Sequence, residues 1–394
     1  MLNLTLRDYK KFSSPTLRIL TFKLGGFLFP HLIKACQNAF TGLGHKVKIV
    51  DLKSLGESLE EQIYNLAKEI ESFRPDFVFT FNHAGLAPVL FAQMRLPHIS
   101  WFVDNPFLWV KEETLLTSLS PYYLLFVFDR YYIGQLEKIG FSQVHHLPLA
   151  ADPGLFRPLS LTDEKYSCVL SFVGNSHLLN LAEYNLSANL TDEKSIEEMA
   201  RRKAEDFGFS VGGMIRNKGF SFVDSAERIR FERLIEDRAM SIHRQKMLRA
   251  VADLGLTIYG DQGWENSSLA AYYKGEIDYS ELPRLYNASR INLNISAAQL
   301  KTTLNQRAFD VPACGGFLLS DFREDLSKFF EIGEEAVYFE DEDDLREKVN
   351  YFLKNPAKRE EIAKRARQKV LTNHTFKERI AQILEKIKFF HDKT

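Results

Sequence analysis

Polar side chains follow two apolar runs in the first half of the 394-residue sequence, and their types suit proton transfer or the binding of hydroxyl groups. Asn82 and His83 come directly after DFVFTF, and Asp104 and Asn105 come after WFV. A histidine titrates near neutral pH, so His83 suits an acid, a base or a hydrogen-bond donor. Asp104 suits a general base or a ligand for a hydroxyl group. The plainer alternatives are a helix-capping histidine and an Asx turn at Asp104.

Glycines at the ends of two other apolar runs would let the backbone approach a ligand closely. Gly25 and Gly26 follow the first run, and Gly174 and Asn175 follow CVLSFV. Paired glycines allow backbone N–H groups to reach a phosphate or a sugar, although a tight strand-to-helix turn explains Gly25 and Gly26 equally well. The spacing does not match GxGxxG, so the dinucleotide fingerprint is absent.

The segment YGDQGW combines turn glycines with two aromatic residues. Tyr259 and Trp264 flank Gly260 in a loop that follows an apolar run. An aromatic side chain in such a loop is suited to stack on a nucleobase. The alternative is an apolar loop tip with no ligand.

The segment NLNISAAQLKTTLNQRAFDVPACGGFLLSD carries the strongest pattern. A strand is predicted to end near Ser296 and a helix to begin near Thr302, and a helix N-terminus among Ser and Thr residues suits an anion. Arg307 would add positive charge for a diphosphate, and Asp310 would accept hydrogen bonds from a ribose. The same segment supplies the rest of the predicted binding set: Thr303, Asn305, Gly315 and Gly316.

These residues need strands to position them, and the sequence alternates strands with helices throughout. Eleven strands are predicted: 17–22, 46–50, 76–81, 97–103, 123–128, 143–147, 168–173, 256–259, 290–295, 317–320 and 336–339. Strands separated by helices form parallel βαβ units. Three prolines between residues 148 and 158 mark a linker, so we predict two doubly wound sheets, with a helical insertion at about 178–252 in the second. Ligands of such sheets bind beyond the carboxyl ends of the strands.

Composition excludes several classes of protein. The formal net charge of −1 argues against nucleic acid as a partner, because phosphate contacts need excess positive charge. Three separated cysteines fit a reducing compartment and no metal cluster. The N-terminus lacks a signal-peptide core, and no stretch reaches the roughly 18 apolar residues of a membrane span. We expect a cytoplasmic protein, with a peripheral membrane contact left open.

The sequence resembles a known family. RAFDVPACGGFLLSDFREDLSKFF, then Gly333 to Glu335, DEDDLREKVNYFLKNPAKREEIAKRARQKV and NHTF, resemble the C-terminal signature of the CgeB-like (spore maturation protein) glycosyltransferases. WFVDNP, LPLAADPGLFRP and YGDQGW resemble its other landmarks. The resemblance covers most of the chain, and the helical insertion carries none of it.

The resemblance implies a metal-independent GT-B glycosyltransferase with no cofactor besides its nucleotide-sugar donor. Its two Rossmann-like domains would face each other across a cleft, with an acceptor-side domain at 1–152, a donor domain at 164–374 and a helix at 375–394 that crosses back. Asp104 and His83 would be catalytic, and Asn82 and Asn105 would lie on the acceptor side. Asp310 matches the second Glu of the E-x7-E motif of retaining relatives, but Thr302 replaces the first.

The acceptor would be a glycan, a protein or a surface polymer, and the helical insertion is a candidate surface for forming homo-oligomers. Two other functions stay open. One is a non-catalytic nucleotide-sugar-binding scaffold, and the other is a GT-B-fold epimerase that acts on the nucleotide sugar.

Overall fold

The computed structural model describes residues 14–83, 88–110, 112–160, 164–178, 181–187, 190–207 and 209–391. The first domain is built from six strands with helices between them. The strands are β1 (Arg18–Phe22), β2 (Lys46–Val50), β3 (Phe77–Phe81), β4 (His98–Phe102), β5 (Tyr123–Val127) and β6 (Val144–His146). The helices are α1 (Phe29–Gly42), α2 (Leu59–Phe73), α3 (Pro88–Gln93), α4 (Pro106–Trp109), α5 (Glu112–Thr117) and α6 (Ile133–Ile139).

The first sheet is parallel throughout and has the order β2-β1-β3-β4-β5-β6. Every residue of β3, β4 and β5 is buried. Strands covered on both faces are typical of parallel sheets and explain the continuous apolar runs in the sequence. The strand order reverses between β1 and β3, which places a topological switch point at their carboxyl ends.

The second domain contains five strands and nine helices among its described residues. The strands are β7 (Cys168–Val173), β8 (Leu256–Tyr259), β9 (Ser289–Asn294), β10 (Leu318–Asp321) and β11 (Val337–Phe339). The helices are α7 (Glu193–Glu205), α8 (Gly212–Asn217), α9 (Ser225–Arg249), α10 (Leu282–Ala288), α11 (Arg307–Ala313), α12 (Leu326–Phe329), α13 (Glu342–Lys354), α14 (Pro356–Asn373) and α15 (Phe376–His391). Its parallel sheet has the order β11-β10-β9-β7-β8, with the switch point between β7 and β9.

The predicted fold class is confirmed: the chain forms two parallel doubly wound sheets, and each predicted strand lies within about a residue or two of its observed position. Helices α7, α8 and α9 lie between β7 and β8, where the sequence lacks strand-like runs. Ser58 and Glu61 form a reciprocal capping box at the start of α2, a local signal that the sequence carries.

One predicted helix start is wrong. Helix α11 begins at Arg307, not near Thr302, and the residues before it form bends and turns. The backbone N–H groups of Lys301 and Thr302 donate to the carboxylate of Asp129 in the first domain, at 2.7 and 3.0 Å. This long-range contact replaces the helical hydrogen bonding that the local sequence favours. Asp310 therefore lies in the first turn of the helix rather than two turns beyond its start.

The last helix packs on the first domain. Ile380, Ile383 and Ile387 of α15 are buried, and α15 lies against α1. Arg379 is buried as well, and its guanidinium donates to the carbonyl oxygens of Pro148 (2.8 Å) and Leu149 (3.1 Å). Burial lowers the pKa of Arg379 to about 10. The chain thus returns from the second domain and is fastened to the linker by a buried cation.

No helix in the described part of the chain is long and apolar enough to cross a membrane.

Candidate active site

The two sheets meet at their carboxyl edges, where residues after β5 bond to the loop between β9 and α11. The buried Asp129 accepts hydrogen bonds from the Lys301 and Thr302 backbones, and its Oδ1 accepts one from the Thr302 hydroxyl at 2.7 Å. Arg130 forms an ion pair with the buried Asp325, at 2.7 Å. Two segments of the second domain, the loop between β9 and α11 and the segment after β10, are therefore bonded directly to the first domain.

Three of the predicted residues come together at this interface. Asp104 Oδ2 accepts a hydrogen bond from Asn82 Nδ2 at 2.7 Å. Asp104 Oδ1 accepts one from Gln299 Nε2 at 3.2 Å, and the Asn105 backbone donates to Gln299 Oε1 at 3.2 Å. Asp104 keeps part of its surface exposed. It lies at the cleft, as predicted, while its catalytic role stays a prediction.

The structure corrects the role predicted for His83. The imidazole is buried, with Nδ1 bonded to the Tyr123 hydroxyl and Nε2 lying 3.2 Å from the Ser118 hydroxyl. Burial lowers the pKa of His83 to about 4. Both ring nitrogens are thus occupied by neighbouring side chains inside the first domain, and neither is available to a substrate. His83 helps to order the residues behind the cleft, where its backbone N–H also bonds to Ser100.

The loop after β7 is fixed at nearly every residue. The carbonyl oxygen of Gly174 accepts a hydrogen bond from Trp264 Nε1 at 2.8 Å, and that of Asn175 accepts one from Arg244. The hydroxyl and backbone N–H of Ser176 both donate to Asp261, at 2.6 and 2.8 Å. The Asn175 side chain is exposed at the carboxyl edge of the sheet. The loop therefore presents Asn175 from a rigid backbone.

The aromatic pair of YGDQGW does not form a nucleobase platform. Trp264 is fully buried and Tyr259 is buried, so neither ring offers a free face. Gly260 passes so close to the preceding loop that a Cβ there would lie 2.1 Å from the Gly174 oxygen. The motif is needed for the close packing of two loops at the sheet edge, which corrects the prediction of stacking.

Arg307 is a cation at this edge whose guanidinium has no carboxylate partner among the described residues. Its Nε donates to Asn294 Oδ1 at 3.0 Å, and Asn305 Nδ2 donates to the same oxygen at 2.6 Å. Within the described part of the chain, its Nη atoms make no hydrogen bond and no carboxylate lies within 4.0 Å, and the side chain keeps some solvent exposure. Burial lowers the pKa of Arg307, although the charges of Asp321 and Asp310 act against this. The charge of Arg307 in turn helps to lower the pKa of the buried Arg244. An anion that reached Arg307 would relieve this positive charge.

Asp310 lies below the cleft surface and is already bonded. It is 1% exposed, and its two oxygens accept hydrogen bonds from the Tyr279 hydroxyl (3.0 Å) and Gln306 Nε2 (2.8 Å). Burial raises the pKa of Asp310 well above its usual value, although both hydrogen bonds act against this. A ribose contact would have to replace the Tyr279 hydroxyl, so Asp310 and Tyr279 form one unit.

The glycines after β1 approach this unit from the first domain. The Phe27 ring packs edge-on against the Tyr279 ring, with centroids 5.6 Å apart. A Cβ added to Gly25 or Gly26 would meet no atom within 4 Å, and Gly26 has a φ of +94°, which favours glycine. The loop is therefore open on the side where a ligand would lie.

Four residues predicted to contact the donor are placed away from it or are already bonded. Gly315 and Gly316 precede β10, at the amino edge of the sheet, opposite the edge that holds Arg307. A Cβ at Gly316 would lie 2.9 Å from the Tyr286 oxygen, so this glycine is required for close packing. Thr303 is fully buried, and the Thr302 backbone and hydroxyl are used by Asp129.

The sequence reasoning missed residues whose partners are far away along the chain. Arg244, His177 and Asp237 belong to the helical insertion, which carries none of the family resemblance, or to the loop before it. His177 Nδ1 lies 2.8 Å from Asp237 Oδ1, 60 residues away. The sequence does show acidic and basic residues one turn apart in the middle of α9. Only the fold shows which of these residues face the edge of the sheet.

Comparison with known proteins supports a link to sugar transfer. Residues 241–385 match the family described as glycosyl transferase-like. An uncharacterised protein of Aquifex aeolicus is 22% identical over 365 residues, covering 85% of this chain and 87% of that protein.

Solved structures show the same architecture. The fold is similar to that of sucrose-phosphate synthase from Thermosynechococcus elongatus, with a TM-score of 0.57, 10% identity and coverage of 96% and 100% of the two chains. For Anabaena HepE in complex with UDP and glucose, the TM-score is 0.54 at 11% identity, with 94% of this chain and 99% of that chain covered. For a glycosyltransferase from Rickettsia africae, the TM-score is 0.53 at 14% identity, with 97% of this chain and 100% of that chain covered. The chain thus has the two-domain fold of the GT-B glycosyltransferases, and its residues 241–385 match the glycosyl transferase-like family.

Proposed function

We propose that this protein is a glycosyltransferase that moves a sugar from a nucleoside diphosphate to a hydroxyl-bearing acceptor, a glycan, a protein or a surface polymer. The observation that carries the proposal is the Arg307 guanidinium. It has no carboxylate partner in the described part of the chain and lies at the carboxyl edge of the second sheet, where doubly wound sheets bind ligands. A doubly charged diphosphate is the kind of anion that an unpaired arginine binds through several N–H groups.

The donor would lie between the domains. Its diphosphate would contact Arg307 and the Asn175 side chain, and its ribose would contact the Asp310–Tyr279 unit. The Gly25–Gly26 loop would cover it from the first domain. Asp104 faces the same cleft from across the interface, so it would contact the transferred sugar or the acceptor.

We propose that the reaction needs no metal ion, because Arg307 would supply positive charge where the departing diphosphate develops its negative charge. Arg307 would stabilise that charge by direct hydrogen bonds. The expected result is that a chelator such as EDTA leaves the rate of transfer unchanged. The solved complexes of HepE with UDP and glucose and with UDP-glucose support a nucleoside diphosphate sugar as the donor class here.

The test is nucleotide binding by wild type and by Arg307→Met. Calorimetry with UDP, GDP, ADP and dTDP should identify at least one nucleotide that binds the wild type. Arg307→Met should bind that nucleotide about 10- to 150-fold more weakly, since charge-assisted hydrogen bonds contribute about 1.5–3 kcal/mol. Arg228→Met, on an exposed part of α9, is the matched control and should bind as tightly as wild type.

Binding of none of the four nucleotides would refute the proposal. Binding without transfer of the sugar, even to water, would favour the non-catalytic scaffold. Conversion of the donor into another nucleotide sugar, seen by NMR with no acceptor present, would favour the epimerase.

The ribose contact has its own test. Asp310→Asn should weaken nucleotide binding, whereas Tyr279→Phe frees the carboxylate and should leave binding unchanged or tighter. Equal loss in both variants would mean that the pair only supports the fold of this region.

A further inference from the structure

One histidine at the carboxyl edge of the second sheet is oriented by a carboxylate. His177 lies in the loop after β7, and its Nδ1 is 2.8 Å from Asp237 Oδ1 on α9. The other oxygen of Asp237 accepts a hydrogen bond from the Tyr184 hydroxyl at 2.9 Å and lies 3.6 Å from Arg233 Nε. Because a carboxylate only accepts, the imidazole must carry its proton on Nδ1. The ring plane and the tautomer are therefore both fixed.

The second ring nitrogen is free. Nε2 of His177 has no hydrogen-bond partner in the described part of the chain, and the side chain keeps 18% of its surface exposed. In the neutral form Nε2 therefore offers a lone pair to solvent or to a ligand. His83 differs in this respect, since both its nitrogens are used inside the first domain.

Burial keeps His177 neutral at pH 7, and the neighbouring charges do not reverse this. Burial is the largest influence and lowers its pKa, and the Arg244 cation on α9 acts in the same direction. The hydrogen bond and the charge of Asp237, together with the charge of Asp261 after β8, act against this but do not overcome it. For Asp237, burial acts to raise the pKa, but hydrogen bonds from His177 and Tyr184 leave it lowered overall. An ionised Asp237 thus faces a neutral imidazole.

The backbone at His177 is held in an unusual conformation. Its φ is +56°, which few residues other than glycine adopt. The preceding residue is fixed by two hydrogen bonds from Ser176 to Asp261. Strained backbone that its surroundings impose is frequent where a side chain must be aimed at a ligand.

His177 belongs to the same edge as the proposed donor site. Arg244 bonds to the carbonyl oxygen of Asn175, two residues away, and also to that of Ile295 after β9, at 3.3 Å. Arg307 lies close enough to Arg244 to lower its pKa. Arg244 is itself buried and joins the loop of His177 to the end of β9, and Arg307 lies near this buried cation.

We propose that His177, positioned by Asp237, is the base that removes the proton from the attacking hydroxyl, an inference that rests on the proposed function. The hydroxyl proton moves to Nε2 as the acceptor oxygen forms its bond to the anomeric carbon. The bond from that carbon to the phosphate oxygen breaks, and the nucleoside diphosphate leaves with the electron pair. Asp237 stabilises the resulting imidazolium, which returns its proton to solvent. A single displacement of this kind inverts the anomeric configuration.

The experiment uses water as the acceptor and UDP-, GDP-, ADP- and dTDP-glucose as the donors. With the donor that wild type hydrolyses, His177→Gln should lower kcat about 10²- to 10⁴-fold, the usual contribution of a general base. Its affinity for the nucleoside diphosphate should stay within about twofold of wild type. Asp237→Asn should also lower kcat. His243→Gln on α9 is the matched control, because it removes a different shielded histidine that contacts Phe207 and should keep wild-type activity.

Azide separates a base from a residue that only supports the fold. Azide attacks as an anion and has no proton to lose, so it should form the glucosyl azide at similar rates with wild type and His177→Gln. Early NMR spectra should show the product anomer opposite to that of the donor. The wild-type rate should also fall at acid pH as His177 gains a proton, and this limb should vanish in His177→Gln.

The outcomes distinguish this inference from the proposed function. Retention of configuration, or a kcat in His177→Gln equal to that of wild type, would overturn the role of His177 while transfer by the wild type still stood. Equal loss of hydrolysis and of azide transfer would assign His177 a structural role. Failure of wild type to bind any of the nucleotides would overturn the proposed function and this inference together.

Discussion

The carboxylate of Asp129 joins the two domains through several hydrogen bonds, and replacing it by an amide should loosen the cleft. The side chain is 0% exposed. Oδ2 accepts the backbone N–H groups of Lys301 and Thr302, and Oδ1 accepts the Tyr131 N–H at 3.0 Å and the Thr302 hydroxyl at 2.7 Å. Asp129→Asn is nearly isosteric, so it changes the hydrogen bonding without creating a cavity.

The size of the effect follows from these contacts. An asparagine has one acceptor oxygen. Its NH₂ group would therefore face either the N–H groups of Lys301 and Thr302, or the Tyr131 N–H and the Thr302 hydroxyl, all of which donate to the carboxylate in wild type. Two charge-assisted hydrogen bonds are lost, each contributing about 1.5 kcal/mol or more, so the free energy of unfolding should fall by about 3 kcal/mol. If the chain unfolds as one unit, the melting temperature should fall by roughly 6–12 °C, at about 2–4 °C for each kcal/mol.

Urea denaturation of wild type and Asp129→Asn measures this difference, and hydrogen exchange locates it. The amides of Lys301 and Thr302 should exchange faster in the variant than in wild type, whereas the amides of β3 should not. Asp253→Asn is the control, because Asp253 pairs with Arg346 on the exposed surface and should contribute under about 1 kcal/mol. A loss of stability in Asp129→Asn no larger than in Asp253→Asn would refute the argument that this carboxylate joins the domains.

Three further predictions concern packing and pH. Gly260→Ala should destabilise the protein by about 1–3 kcal/mol and weaken nucleotide binding, since its Cβ would overlap the Gly174 oxygen, whereas Gly213→Ala, where a Cβ meets open space, should be nearly neutral in both assays. Arg379→Met should cost about 2–4 kcal/mol in urea denaturation because it leaves buried carbonyl oxygens of the linker without a donor, and an unchanged midpoint would contradict this reasoning. Stability should fall as the pH drops from about 6.5 towards 4, because burial holds the pKa of His83, His243 and other histidines near 4 in the folded state while the unfolded chain takes up protons first. Each such histidine adds about 1.4 kcal/mol per pH unit to this slope, so His243→Gln should reduce the slope by about that amount.

The positions of the strands along the chain were predictable because the sequence signals for strands are local. Runs such as DFVFTF are buried on both faces of a parallel sheet, and Ser58 with Glu61 carries a capping box within four residues. The position of Asp104 at the carboxyl edge followed from the same reasoning. Chain topology then determined which loops meet.

The details that failed depend on contacts between distant residues. Helix α11 starts later than predicted because the backbone N–H groups of Lys301 and Thr302 donate to Asp129, which lies more than 170 residues earlier in the chain. The Trp264 side chain points inwards because its indole N–H donates to the Gly174 oxygen. The His83 imidazole is buried and hydrogen-bonded to the side chains of Tyr123 and Ser118. The pairing of His177 with Asp237 depends on how α9 crosses the sheet, and no periodicity within the insertion specifies that angle.

The return of α15 to the first domain has a consequence for synthesis on the ribosome. The first domain emerges first, but the surface of α1 that packs against Ile380, Ile383 and Ile387 stays uncovered until these residues have been made. At about 5–20 residues per second, some 230 residues lie between the end of the first sheet and this helix, so the apolar surface faces water for at least ten seconds. During that interval the nascent chain offers a binding surface for chaperones, and a chain that terminates early keeps that surface permanently. Helix α15 thus makes completion of the first domain depend on synthesis of the second domain.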